Sequence, residues 1–287
     1  MNRRHFHLNL AAAAAAVALP AGAQTPSRPA PAARWSAIES RSGGRMGIAI
    51  LRADGRIEGH RLDERFPMCS TFKWLAGAHV LQRVDLGLER LDRRIPYGRE
   101  VLQPHSPITE KHVGEGMALG DLCHATITTS DNAAGNLVLA SFGGPAGLTA
   151  YARSLGDETT RLDRWETELN EALPGDPRDT TTPRAMVRLL QATLVGKALS
   201  PASRDVLAGW MEATRTNLQR LRADLPAGWR MGSKTGTGGR GTTNDVGIFW
   251  PPGQAPILVA AYVTNTQAPE ANRSGAIAAV ARYVTRP

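Results

Sequence analysis

An apolar run, Met46–Leu51, ends at the turn signal Asp54-Gly55. A more polar segment, Arg56–Arg61, follows it, and together they predict a hairpin. Ahead of it, Arg34–Ser42 fits a short helix stopped by Gly43-Gly44. From Thr71 to Leu86 the spacing becomes helical, with Leu75, Ala78, His79, Leu81 and Gln82 on one period and Gly87 closing it. The middle third predicts three short helices, Leu119–Cys123, Asn132–Phe142 and Pro145–Leu155. Arg161–Thr181 has no period, many charges, Pro174 and Pro177, so it reads as a long surface loop of the kind that often carries function. Helical spacing resumes over Pro183–Val195 and Pro201–Glu212, each with proline at its start. Three strand candidates follow, Trp229–Lys234, Asp245–Trp250 and Pro256–Thr264, and Ala271–Val284 is a closing helix. Strands early and late with helices between predict an α/β chain in two lobes. One lobe is an antiparallel sheet carrying the terminal helices (34–61 and 213–287), and the other is all-helical (62–212). The pattern contains no internal repeat.

The first residues read differently. Arg3-Arg4 precede an apolar stretch that runs from Leu10 through six alanines to Leu19, and Ala21-Gly22-Ala23 supplies the small residues of a cleavage site. This order predicts a secretory signal over 1–23, and the paired arginines point to a twin-arginine type. The apolar run falls short of the ~20 residues that span a bilayer, so no stable membrane anchor is expected. Residues 24–33, rich in proline, alanine and serine, read as a mobile leader. The expected location is the periplasm of a Gram-negative bacterium, reached through the export machinery.

Composition adds exclusions. Hydrophobic residues are 42% and charged residues 21% of the 287, the balance of a soluble globular chain. The formal charge is +8, nearly all of the excess arginine, but no dense basic run suits nucleic acid. The histidines left after the signal, His60, His79, His105, His112 and His124, show no paired metal-ligand spacing, and the two cysteines are far apart. No phosphate-cradling glycine loop is present, and no cofactor is expected.

Four groups of residues carry candidate chemistry. Ser70-Thr71-Phe72-Lys73 places a hydroxyl and an amine on one helix face. A serine hydroxyl is a weak nucleophile until a neighbour takes its proton, which such a lysine can do or relay. Ser130-Asp131-Asn132 stands before a helix and also fits a plain capping turn. Lys234-Thr235-Gly236-Thr237 ends a strand candidate in a glycine-rich turn. Arg164-Trp165-Glu166-Thr167-Glu168-Leu169-Asn170 lies in the long loop, where Glu166 is a candidate base, Asn170 a candidate water ligand, and Asp179 a candidate partner for Arg164 in a loop clamp.

These groups, in this order and over essentially the whole mature chain, resemble the class A serine β-lactamases. Ser106-Pro107-x-Thr109-Glu110-Lys111-His112 and Thr242-Thr243-Asn244-Asp245 add to the likeness. The resemblance implies the β-lactamase and penicillin-binding-protein fold and hydrolysis of penicillins and cephalosporins through an acyl-enzyme, conferring antibiotic resistance on its host. It implies Ser70 as nucleophile, Lys73 and Glu166 as proton acceptors, and Ser130 as donor to the leaving nitrogen. Glu166 with Asn170 is expected to hold the hydrolytic water, with Glu166 itself not touching the nucleophile. Lys234 and Thr235 would bind the substrate carboxylate, with Gly236 beside them in the substrate-binding strand, Asn132 the side-chain amide, and the amides of Ser70 and Thr237 the oxyanion. Arg220 would add a second charge for the carboxylate, since Thr242-Thr243-Asn244 lacks the arginine many members carry there. His105 stands where an aromatic gatekeeper is usual, and Thr237-Gly238-Gly239 forms a small edge with room for bulky side chains. Some members of the family bridge the position of Cys123 to one that is Gly77 here, and certain carbapenem-hydrolysing members bridge that of Cys69 to one that is Gly238 here, so both thiols are expected free. The protein is expected to be a monomer. Two other readings share the serine motifs: a D-alanyl-D-alanine carboxypeptidase or transpeptidase, and a catalytically silent β-lactam sensor. The glutamate-bearing loop argues against the first, and Glu166 without a membrane segment against the second.

Overall fold

The computed structural model describes residues 31–286. The signal (1–23) and most of the leader (24–33) lie outside the described residues. Helix α1 spans Pro31–Ser42 and so takes in the last three residues expected in the leader. A hairpin follows, β1 (Arg45–Leu51) and β2 (Ile57–His60). Two-residue β3 (Phe66–Pro67) leads through a tight 3-10 turn, Cys69–Thr71, into α2 (Phe72–Asp85). Next come β4 (Arg94–Ile95), β5 (Met117–Ala118), α3 (Leu119–Thr128), α4 (Asn132–Ala140) and α5 (Gly144–Ser154). β6 (Thr180–Thr181), α6 (Pro183–Leu194) and α7 (Pro201–Glu212) complete the middle. The chain ends in β7 (Arg230–Thr237), β8 (Thr243–Trp250), β9 (Ile257–Thr264) and α8 (Glu270–Thr285).

The large sheet is antiparallel, ordered β2-β1-β9-β8-β7. Central strand β9 is buried at all eight positions, because both faces of the sheet are covered. Its odd residues Ile257, Val259, Ala261 and Val263 face α1 and α8, where Trp35, Ile38, Ile277 and Val280 close an outer core. Its even residues Leu258, Ala260 and Tyr262 face inward and join the larger core of α2, α3, α6 and α7. The two-residue alternation of a strand sorts them. Helix α6 packs on the inner side of the sheet, so the sheet is sandwiched between the terminal helices and the helical region.

Two elements run past their expected ends. The helix expected over Leu119–Cys123 continues to Thr128, although Thr126, Ile127 and Thr128 are poor helix formers. Burial carries it, and the Thr128 and Thr129 hydroxyls donate back to the carbonyls of His124 and Ala125 at 2.7 and 2.9 Å. β7 continues through the expected turn to Thr237, because β8 pairs it in register from Arg230–Trp250 to Thr237–Thr243.

Candidate active site

The nucleophile turn is held by its neighbours. Cys69 sits at φ 45°, and the Thr71 hydroxyl donates to the Met68 carbonyl at 2.8 Å. Strand β7 presses against this turn. A Cβ at Gly236 would fall 2.7 Å from the Met68 carbonyl oxygen, and one at Gly238 would fall 2.5 Å from Cys69 Sγ. Only glycine permits this approach, which brings the lysine-threonine-glycine strand beside Ser70. Both cysteines are buried and free, as expected.

Asp131 places the second motif. Its buried carboxylate caps α4 at the Ala134 amide (2.9 Å) and accepts from the Ile108 and Thr109 amides and the Thr109 hydroxyl. Ser130, at φ 64°, is thereby turned between two lysines. Lys234 Nζ donates to Ser130 Oγ at 3.0 Å and to the Thr235 carbonyl at 2.8 Å. Lys73 Nζ donates to the Ser130 carbonyl at 2.9 Å and to Asn132 Oδ1 at 2.6 Å, and it pairs with Glu166 Oε1 at 2.9 Å. Both lysines are fully buried. Burial pulls the Lys73 ammonium below its usual range, with the Glu166 charge opposing it. Burial and the neighbouring Lys73 charge push Lys234 well below.

The long loop delivers Glu166. Arg164 Nε donates to Asp179 Oδ2 at 2.6 Å, and Asp179 Oδ1 accepts from the Asp163 and Arg164 amides, so the expected clamp is present. β3 and β6 pair across the loop's end, and the Met68 amide donates to the Asp179 carbonyl at 2.9 Å, tying loop to nucleophile turn. Asn136 brackets Glu166 by its main chain, donating to its carbonyl and accepting from its amide, each at 2.9 Å. Asn170 Nδ2 donates to Glu166 Oε2 at 2.5 Å. One expectation is corrected here. Glu166 does not stand clear of the nucleophile, because Ser70 Oγ donates to its Oε1 at 3.0 Å. Lys73 and Asn170 each take one carboxylate oxygen and hold the group against the serine.

The cleft, about 410 Å³, gathers Ser70, Ser130, Asn132, Asn170, Thr235 and Thr237, with His105, Thr216, Arg220 and Glu270 around them. A larger cavity of about 590 Å³ lies behind Thr128 and Thr129 and holds no member of the four groups. His105 is exposed and anchored, its Nε2 2.9 Å from the Thr129 carbonyl. Arg220 is buried, and its Nη2 donates to Thr237 Oγ1 at 3.0 Å. Arg222 turns the other way, to the carbonyls of Glu212 and Met231. Asn136, Thr216 and Glu270 were not anticipated. Asn136 lies four residues after Asn132, a spacing that puts both on one helix face and could have singled it out. Thr216, whose hydroxyl lies 2.6 Å from that of Thr235, and Glu270 carry no motif signal. Among the described residues no cluster of side chains could hold a metal ion, and no helix is long and apolar enough to cross a membrane.

Comparison with known proteins agrees with this geometry. A family model described as the β-lactamase enzyme family matches residues 30–286. β-Lactamase AST-1 of Nocardia asteroides is 48% identical over 235 residues, which cover 82% of this chain and 76% of that one. β-Lactamase FAR-1 of Nocardia farcinica is 46% identical over 250 residues, covering 87% and 80%. The solved structure of an ancestral class A β-lactamase superposes with a TM-score of 0.87 at 60% identity, covering 89% of this chain and 98% of that one. The activated serine, its two lysines and the clamped glutamate therefore sit in a chain that belongs to the β-lactamase enzyme family, and it is a class A serine β-lactamase that hydrolyses β-lactams.

Proposed function

We propose that Ser70, Glu166, Lys73 and Ser130 form one proton path serving both halves of β-lactam hydrolysis, on penicillins and cephalosporins. The contact from Ser70 Oγ to Glu166 Oε1 at 3.0 Å carries this reading. Ser70 Oγ attacks the β-lactam carbonyl and gives its proton to Glu166, with Lys73, 2.9 Å from the same oxygen, as the second acceptor. As the amide C–N bond breaks, the ring nitrogen takes the Ser130 proton. Lys73, in contact with both Ser130 and Glu166, replaces that proton and in turn takes the one Glu166 received from Ser70, so Glu166 is again a carboxylate when water arrives. Lys234 also touches Ser130. The oxyanion lies against the amides of Ser70 and Thr237, the first in the opening turn of a helix where N–H groups lack internal acceptors. Water then attacks the ester carbonyl, Glu166 accepts its proton, and Ser70 Oγ leaves with a proton returned along the same path. Asn170, bonded to the other oxygen of Glu166, orients the carboxylate for this second step.

The substrate carboxylate is held by Lys234, Thr235 and Arg220, and the acyl side chain amide by Asn132. A fixed guanidinium grips a carboxylate more directionally than a lysine does. The small residues Gly238 and Gly239 leave the edge open to oxyimino side chains. His105 supplies a flat but more polar wall than a larger aromatic would. The protein acts as a monomer in the periplasm, after export on its first 23 residues. Steady-state turnover of the mature chain on a penicillin, an oxyimino-cephalosporin and a carbapenem tests the reading, with Ser70→Ala as control. Comparable hydrolysis of the first two is expected. Failure to turn over either, after a stoichiometric burst, would sink it.

A further inference from the structure

Glu270 opens α8, 104 residues in sequence from the catalytic Glu166, yet its carboxylate stands at the rim of the cleft. Its Oε1 lies 3.3 Å from Nη2 of Arg220. The guanidinium is divided between two tasks. Nη1 donates to the carbonyls of Gly236 and Asn244, at 3.1 and 2.9 Å, and these bonds are buried. Nη2 faces the cleft, donating to the Thr237 hydroxyl and to Glu270. The Arg220 side chain is 7% exposed and that of Glu270 is 62% exposed. A fixed, buried cation thus carries a solvated anion on the one nitrogen that can meet a substrate.

We propose that Glu270 is a specificity-determining residue, a rim carboxylate that favours cephalosporins bearing a positive charge on their C3 substituent. This rests on the reading that Arg220 helps to hold the substrate carboxylate. In a cephalosporin that carboxylate is on C4, so the C3 substituent leaves the ring at the neighbouring carbon. With the carboxylate at Nη2, the substituent projects beside Glu270. A neutral or anionic substituent brings only the substrate's own negative charge toward Glu270, and like charges at such spacing repel. A cationic one pairs with it. Penicillins lack this substituent, and for them Glu270 is only a competing anion at the clamp.

Glu270→Gln tests the charge while keeping the side chain's length and an oxygen that can accept from Arg220. The readout is kcat/KM for two cephalosporins with the same oxyimino acyl side chain, one carrying acetoxymethyl at C3 and the other N-methylpyrrolidiniomethyl. The ratio of cationic to neutral substrate should fall by about 3- to 5-fold in the variant, the scale of a solvated ion pair. In the wild type the same ratio should fall as sodium chloride rises from about 0.02 to 0.5 M, and in the variant it should hardly move. Benzylpenicillin should improve by about 2-fold, through KM. A ratio that changes by less than about 1.5-fold, or equal losses on both cephalosporins, would overturn the proposal, the second by making Glu270 a mere prop for Arg220. Arg220→Ala measured on benzylpenicillin reports separately on the carboxylate clamp, whose failure would leave kcat/KM unchanged there.

Discussion

Ser70 Oγ and Glu166 Oε1 are 3.0 Å apart, joined by a hydrogen bond across 96 positions of sequence, and Lys73 Nζ lies 2.9 Å from the same carboxylate oxygen. One carboxylate atom thus serves both the nucleophile and its helix-borne lysine. The two proton acceptors are not equivalent once either is removed. Without Glu166, Lys73 loses the charge that holds its ammonium up, while burial continues to pull it down. More of Lys73 then stands as the free amine, which can take the Ser70 proton. Nothing comparable replaces the carboxylate on the loop side, where water must be activated.

Glu166→Ala should therefore slow deacylation far more than acylation, by about 10²- to 10⁴-fold for the loss of a general base. Intact-protein mass spectrometry after mixing with benzylpenicillin should find a persistent adduct on Ser70. Release of the adduct at the wild-type rate would refute the assignment.

The clamp at the loop's foot is a nearly buried ion pair, with Asp179 1% and Arg164 14% exposed. Asp179→Asn leaves the Arg164 cation facing a neutral amide. Breaking one side of a buried pair costs about 3–5 kcal/mol, and solvent at Arg164 and its second partner Glu171 put this case at the low end. The loss should stay local at first, since the loop has its own ties at Asn136 and β6. Hydrogen exchange should quicken over 163–179 and remain slow in β9, and deacylation should slow with it. Unchanged exchange in the loop would show that the clamp carries no part of its order.

Much of this site could be read from the chain because each motif is short and stays together on folding. Ser70 and Lys73 share a helix face, Ser130 and Asn132 share a turn, and Lys234 and Thr235 share a strand. The central strands were also visible, since double-sided burial makes β9 an unbroken apolar run. What escaped depends on contacts between distant segments. β3 and β6 have two residues each, too few for a period, and exist because the loop folds back on the nucleophile turn. Thr216 and Glu270 come from a connection and a helix start, and only the closing of α8 over the sheet brings Glu270 to Arg220. The loop's composition marks Glu166 as a base, but its direct contact with Ser70 follows from Asn136 gripping its main chain, and the helical spacing that marks Asn136 beside Asn132 does not say which distant segment it grips.

Arg220 and Arg222 are two residues apart and point to opposite sides, one to Thr237 in the cleft, the other to the carbonyls of Glu212 and Met231. Arg220→Ala should lower kcat/KM for penicillins by at least about 10-fold, or about 1.4 kcal/mol of transition-state binding. Arg222→Ala should act on stability instead, visible in Tm with kcat/KM little changed. Equal, near-zero kinetic effects from both, with the fold intact by circular dichroism, would remove Arg220 from the carboxylate clamp.

Asp245 lies on β8 opposite Thr235, fully buried, and its Oδ2 accepts from the Leu221 amide at 3.0 Å. Burial raises its carboxyl from the ordinary 3.8 to about 6, against the opposing pull of Ser233, the Leu221 amide and the Arg220 and Lys234 charges. A raised carboxyl means the folded chain holds this proton more tightly than the unfolded chain does. Between pH 3.8 and about 6 the fold binds more protons here, so this contribution to stability is present at the acid end and is lost as pH rises. The loss amounts to about 3 kcal/mol at most. Asp245→Asn, neutral throughout, should not suffer it. Other carboxylates run the opposite way, Glu39 among them, held near 2 by Arg61, the Met46 amide and His60 against its own burial. The difference between variant and wild type cancels those terms. Thermal unfolding of both proteins from pH 4 to 7 should give a Tm difference that moves in favour of Asp245→Asn as pH rises and levels off above about pH 7. Parallel curves would show that Asp245 titrates alike in the folded and unfolded chains, and that Arg220 and Lys234 fully offset the cost of burying its charge.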